Sequence, residues 1–292
     1  MLKEKLVIER KAATLITVDF TAPEIVGYAM AWLKLCNVAR ELKRIWKIEN
    51  DRSKTGCIKM RRVIMGQYYK LVNFDKKEFV EPWPLDCGAK LTEWSYNRAP
   101  MACALMNLVA GRWKGDRVYV VGNYTDLENT SVNWYEACKE ISNEVGVDAI
   151  YSYATANFKD ISSEVDVEFH NWKRIYNHYT KQYIDLSKCP IEWVWWDEEI
   201  KEAVVSSFAP LGLLLAMGNG RGSGDYHGHN ADLVGSWCNF TKYIEISNDK
   251  CILEGYEEFA PAFTENDSLI PYTKAEEMMN AVRKEHKHEK NH

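Results

Sequence analysis

Tyr68-Tyr69-Lys70-Leu71-Val72-Asn73, then Phe74-Asp75-Lys76-Lys77, then Glu78-Phe79-Val80, reads as a β-hairpin. Aromatic and β-branched residues fill both flanks. The short polar turn carries Asn and Asp, whose side chains bond their own backbone. The pattern returns about a hundred residues later as Trp172-Lys173-Arg174-Ile175-Tyr176, Asn177-His178-Tyr179-Thr180 and Lys181-Gln182-Tyr183-Ile184. Both turns read N-x-x-x-K-[EQ]-[FY]-[VI].

Outward from the first hairpin, residues 99–111 predict an apolar helix stopped by Gly111. Gly111-Arg112-Trp113 then precedes the strand Val118-Tyr119-Val120-Val121. Outward from the second, Gly235-Ser236-Trp237 precedes a strand from Tyr243 to Ile246. The order hairpin, helix, Gly-x-Trp, strand thus occurs twice, at a spacing of roughly 100–125 residues that is too long for a solenoid repeat. The expectation is an α+β fold with mixed or antiparallel sheets. Two related hairpin–helix–strand half-units would form one pseudo-duplicated domain over residues 65–260, with residues 261–292 a C-terminal helix and a tail frayed from His286.

Other segments are read by the same rules. Residues 132–145, 197–207 and 273–287 predict helices, 147–153 a strand, and 241–247 with 250–254 a hairpin around Asn248-Asp249. Glu192-Trp193-Val194-Trp195-Trp196 alternates as a strand does, and core packing between the half-units is expected for its tryptophans. Upstream, residues 5–9 and 14–20 read as strands. Thr21-Ala22-Pro23-Glu24 is a capping box opening a helix to about residue 48. Residues 1–64 are therefore a strand–helix appendage or an upstream extension. The second alternative rests on Arg61-Arg62, which two AGG codons would turn into a ribosome-binding site just before Met65.

Composition limits the function classes. Hydrophobic residues make up 46% and charged residues 27% of 292 residues, with 11 Trp, 16 Tyr and 9 Phe, so wholesale disorder is excluded. The net charge of −5 argues against nucleic acid as a partner. No apolar run approaches the length of a membrane span, and Met1–Lys5 does not open a signal peptide, so no membrane partner and a cytoplasmic location are expected. The eight cysteines are scattered with no C-x-x-C pair, as befits free thiols in a reducing compartment.

Met65-Gly66-Gln67-Tyr68-Tyr69-Lys70, Gly88-Ala-Lys-Leu91-Thr-Glu93, Gly115-Asp116-Arg117 with Val121-Gly-Asn-Tyr124-Thr-Asp126, Asn177-His178 with Lys181–Asp185, and Gly218–Asp225 with Val234-Gly-Ser-Trp237 occur in this order. Together they resemble an uncharacterised family of bacterial and phage proteins that begin Met-Gly-Gln-Tyr-Tyr. The resemblance covers about residues 65–260 and implies a phage or mobile-element setting, with the host cytoplasm as location. It also bears on Met65 as a start. The family pattern carries an acidic residue before the glycine loop and Ala-Arg-Asp after the tryptophan. Met217 and Cys238-Asn239-Phe240 stand there in this chain, which weakens a catalytic use of the loop.

Gly218-Asn219-Gly220-Arg221-Gly222-Ser223-Gly224-Asp225 is the most unusual segment. Its successive backbone N–H groups can form an anion nest, with Arg221 adding charge and Tyr226 and Trp237 flanking it as ligand-binding candidates. It lacks the Gly-Lys-Ser/Thr of a P-loop and no cofactor is expected. Asp225, His227, His229 and Asp232 offer four metal-type ligands in eight residues, the basis of an alternative reading as a metal-assisted phosphodiesterase or other hydrolase. Glu93, Asp116 and Asp126 are a further candidate carboxylate cluster. The reading preferred over these is a non-enzymatic cytosolic binding protein, acting on a host protein or a small anionic, nucleotide-like ligand, with counter-defence as a fitting role. A structural or assembly protein is the third reading.

Overall fold

Strand β1 (Tyr69–Asn73) is the centre of the first sheet and is buried along its whole length. It pairs antiparallel with β2 (Glu78–Val80) and with β3 (Val118–Gly122). The short β4 (Lys159–Asp160) adds parallel to β2, and a later segment, β9 (Ala216–Met217), adds parallel to β3. The computed structural model describes residues 66–125, 130–249, 251–264 and 270–289. The chain divides into two units, residues 1–62 and 63–292, and only the second falls within the described residues. The expected strands and helix upstream of Met65 lie outside them.

Two layers cover this sheet, and strand periodicity assigns each side chain to one of them. Tyr69, Leu71, Val118 and Val120 face a core built with helix α1 (Pro100–Ala110) and with Trp94, Trp113 and Trp237. Val72, Tyr119 and Val121 face the other way, onto helices α2 (Tyr135–Val145) and α3 (Ile150–Asn157) and onto Trp134. A lysine shares this second face. The ammonium of Lys70 is wholly buried, bonded to Glu81 and to Thr155 Oγ1 (2.6 Å), and lies over the rings of Tyr151 (3.9 Å) and Phe79 (4.7 Å). Burial lowers its pKa, and Glu81 opposes that shift.

The second sheet has the order β10-β5-β6-β11, from β5 (Arg174–Asn177), β6 (Gln182–Asp185), β10 (Ile244–Ser247) and β11 (Glu257–Glu258). Its turn repeats that of the first. Asn73 Oδ1 accepts from Lys76 N–H (2.9 Å), and Asn177 Oδ1 accepts from Tyr179 and Thr180 N–H (3.1 and 3.2 Å). Lys77 and Lys181 take left-handed backbone at φ 55° and 52°. Beyond each turn the next short strand runs parallel, pairing Glu78 with Lys159 and Gln182 with Glu257. On the opposite edge Phe74 N–H donates to Arg117 O (3.0 Å), and His178 N–H to Tyr243 O (2.9 Å). Trp113 and Trp237 are both buried in the same core. The α+β class is as expected.

Five local expectations need correction. Residues 150–157 are helix α3, because Ile150 and Ala154 are the buried positions and lie four apart on one face. Residues 202–207 are strand β8 (Glu202–Ser207), paired antiparallel with β7 (Ile191–Asp197) across a turn in which Asp197 Oδ1 accepts from Glu199 and Ile200 N–H. β10 takes β5 as its partner, and 251–254 forms no hairpin arm, residue 250 lying outside the described residues; Asp249 instead turns the chain, accepting from Arg174 Nη1 and from Cys251 N–H. The tail is not frayed at His286, whose ring stacks on Trp196 at 3.9 Å within helix α5 (Ala275–Glu289). The β7 tryptophans also miss the core: Trp193 is 43% exposed, and a bulge lies between it and Ile191. Helix α4 (Pro210–Leu214), opened by a proline in its first turn, leads into β9.

Lys77 and Lys181 are exposed and carry the strain of left-handed backbone without Asn or Gly chemistry. Replacing each by Gly removes a cost of about 1–2 kcal/mol and adds back less than 1 kcal/mol of unfolded-state entropy. Lys77→Gly and Lys181→Gly should each raise the urea midpoint by a similar, small amount. A lowered midpoint in either would show that its lysine side chain is needed in the turn.

Candidate functional site

The conspicuous motifs of the sequence meet around the first turn of β1. Tyr68 N–H donates to Asn123 Oδ1 (3.0 Å), and Asn123 N–H returns a bond to Tyr68 O (2.9 Å). Tyr69 N–H donates to Ala89 O (2.8 Å), and Leu91 N–H to Gly224 O (2.9 Å). Thr125 Oγ1 donates to Met217 O (2.9 Å). The Gly-Gln-Tyr-Tyr, Gly-Ala-Lys-Leu, Gly-Asn-Tyr-Thr and glycine-loop motifs are therefore one bonded assembly.

Inside it, the glycine loop serves its own chain. Asp225 is buried, and its Oδ2 accepts from the N–H groups of Arg221 (2.5 Å) and Gly222 (2.7 Å), while Oδ1 accepts from the Tyr69 hydroxyl (2.6 Å). The anion expected in the nest is this carboxylate. Burial beside that charge raises the Tyr69 phenol well above its usual pKa, so it stays a donor. Asn219 brackets the Tyr226 backbone, accepting from its N–H (2.8 Å) and donating to its carbonyl (3.2 Å). Tyr226 is wholly buried, its hydroxyl within 2.8 Å of the carbonyls of His229 and Thr264. Trp237 is buried against Phe259. Neither aromatic lines the cavity described below.

The glycines have distinct tasks. Gly218 and Gly220 take positive φ, 103° and 91°. Gly224 is there for contact: a Cβ would stand 1.8 Å from Gln67 O. Gly122 and Gly218 likewise make room for the Gln67 amide, 1.9 and 2.3 Å from where their Cβ atoms would be. Gln67 is wholly buried there, and neither amide atom has a hydrogen-bond partner among the described residues.

The proposed metal set does not assemble. Asp225 spends both oxygens on the loop and Tyr69, and His227, His229 and Asp232 lie exposed. Among the described residues the group of three or more such side chains with ligand atoms within 4.8 Å of one another is Asp166, Glu168 and His170, all exposed. Glu93 and Asp116 are also apart in purpose. Glu93 Oε2 accepts from Lys90 N–H at a helical turn, whereas Asp116 Oδ2 accepts from Asn73 and Lys76 beside the first hairpin. Asp126 lies outside the described residues, as do Cys36 and Cys57. Cysteines 87, 103, 138, 189, 238 and 251 are free thiols. Burial pushes Cys103 up to about 11 and Cys189 up to about 12, far from nucleophilic use at neutral pH.

A cavity of about 380 Å³ opens elsewhere, between α1, the segment 169–173, the β7–β8 ribbon and the start of α5. Ala102, Met106, Val204, Phe208 and Met279 give it an apolar wall, and Phe169, Trp172 and Tyr272 add rings. Its frame is hydrogen-bonded. Asn107 Oδ1 accepts from Trp172 Nε1 (3.0 Å), and Asn107 Nδ2 donates to the carbonyls of Asp166 and Glu168 (3.1 and 3.0 Å), which ties the segment to α1. Arg98 and Lys173 reach this cavity. Sequence reasoning missed them because Arg98 sits in an unremarkable turn before α1 and Lys173 looks like one more strand lysine; only the fold makes them neighbours of one space. No protein family, curated protein or solved structure matches this chain.

Gly224→Ala should destabilise the domain by about 3 kcal/mol or more, since backbone would have to move. Gly115→Ala should cost only about 1–2 kcal/mol: its φ of 79° is strained for alanine, but nothing lies within 4 Å of the new Cβ. Urea unfolding of the two variants checks the ranking, and equal losses would refute the contact at Gln67.

Proposed function

We propose that this protein is a non-catalytic binding protein whose ligand is a small organic molecule held in the cleft between α1, residues 169–173 and the β7–β8 ribbon. The observation that carries the reading is the cleft itself: about 380 Å³, within the range of small-molecule sites, apolar on its walls and framed by a fixed hydrogen-bond network. The absence of catalysis is supported by the fate of the reactive groups. The buried thiols are held protonated, Asp225 is consumed by the loop, and the histidines beside it do not converge with it. The resemblance to bacterial and phage proteins supports an accessory role in a phage or mobile element, with removal of a host molecule as the counter-defence this would serve. No helix among the described residues is long and apolar enough to cross a membrane.

A second reading, capture of a host protein, has one observation in its favour. Tyr179 (61% exposed) stacks on Phe240 at 4.6 Å and meets Tyr243 (47% exposed) at 5.3 Å, an aromatic surface at the second hairpin turn. Such rings are favoured in protein interfaces.

N-phenyl-1-naphthylamine, a neutral aromatic probe, should bind with a rise in fluorescence at one site per chain. Val205 lines the cleft and is half-buried, so Val205→Trp should fill it and weaken the probe at least tenfold while leaving a cooperative thermal transition. Undiminished binding to a folded Val205→Trp protein, or no binding to the natural chain, would refute the cleft as a ligand site.

A further inference from the structure

The charges of the cleft define its ligand more closely. Arg112, Arg117, Arg174 and Arg283 each meet a carboxylate. Arg98 does not. Its Nε donates to Val205 O at 3.4 Å and its guanidinium lies 4.3 Å over the Phe169 ring, but its terminal nitrogens have no hydrogen-bond or ion-pair partner among the described residues. Lys173 lines the same cavity, and its ammonium likewise meets no carboxylate there. The carboxylate on the cavity wall, Glu202, is already committed to Arg283 at 2.7 Å. A half-buried guanidinium normally finds a counter-charge, and one fixed by its Nε and by a ring face keeps its remaining in-plane donors for a forked acceptor.

Resting on the cleft reading above, we propose that the ligand is a small organic anion with a flat unsaturated ring, its anionic group bound by Arg98 and Lys173 and its ring set among Phe169, Trp172 and Tyr272. Carboxylate, sulfonate and phosphate monoester all satisfy the fork. The rings give the flat body a surface on which to stack, and the apolar wall of α1 excludes water from it. A mononucleotide and an aromatic carboxylate are the two sources of this chemistry, and both fit a space of this size.

The test uses the full chain and two probes that share one aromatic body. Anilinonaphthalene-8-sulfonate carries the anion; N-phenyl-1-naphthylamine lacks it. The sulfonate should bind at least tenfold more tightly than the neutral probe, and added salt should weaken it. Arg98→Met should remove most of that preference and leave the neutral probe within twofold. Lys173→Met should remove part of it, and as a second, independent variant it guards against a folding defect in Arg98→Met. Displacement of the sulfonate by AMP assigns the nucleotide source, and displacement by salicylate the carboxylate source; displacement by neither overturns the proposal. Equal affinity for the two probes, or equal loss of both in Arg98→Met, also overturns it while leaving the cleft reading in place. Failure of the natural chain to bind either probe overturns the cleft reading itself.

Discussion

A buried carboxylate organises this protein. Asp225 cannot sit uncharged-for in the interior, so it gathers two backbone N–H groups from its own loop and the hydroxyl of Tyr69. Tyr69 is the first residue of the central strand, so this one contact fixes the glycine loop to the middle of the first sheet. The loop in turn positions β9 before it and Tyr226 after it, and Tyr226 anchors the carbonyls of His229 and Thr264. Breaking a buried, hydrogen-bonded charge of this kind costs several kcal/mol. The glycine richness of the segment follows from that closure and from the approach of Gln67, without a ligand being required.

The second sheet obeys a different constraint. Its hairpin depends on an asparagine that accepts from backbone N–H groups and a lysine forced into left-handed backbone, the same pair of devices used by the first. Because the turn geometry is the same, the strands that follow enter in the same register, and a short parallel strand completes each set. The two hairpins differ where they meet solvent. The first turn carries the Asp75–Arg117 ion pair, and the second carries Tyr179 near Tyr243.

These differences show what was legible in the sequence. The two hairpins with Asn-x-x-x-Lys turns, α1 and the buried Gly-x-Trp residues could be read because their signals are local: turn chemistry, a proline at a helix start, a run of apolar side chains. The strand expected at 147–153 failed because Ile150 and Ala154 declare their helical spacing only when a sheet lies beneath them. The helix expected at 197–207 fails because the antiparallel ladder to β7 holds Glu202–Ser207 extended, a pairing that local spacing does not reveal. The nest in the glycine loop is legible, and its occupant Asp225 lies in the same eight residues; the third donor, Tyr69, lies 156 residues away and gives no local signal. Arg98 and Lys173 had no signal at all; an arginine becomes conspicuous only when the carboxylates around it are counted in space.

The walls of the cleft come from positions spread between Asn97 and Met279. A chain leaving the ribosome can form the first hairpin and α1 early, because those contacts are short-range. The first sheet must wait for β9, whose residues follow β3 by about a hundred positions, and the cleft is not closed until the start of α5 has emerged. Such non-local closure is slow and leaves β3 with an open edge during synthesis. The complete cleft is therefore a late product of the chain: Tyr272 and Met279 belong to its wall, so removing α5 and the turn before it removes that wall.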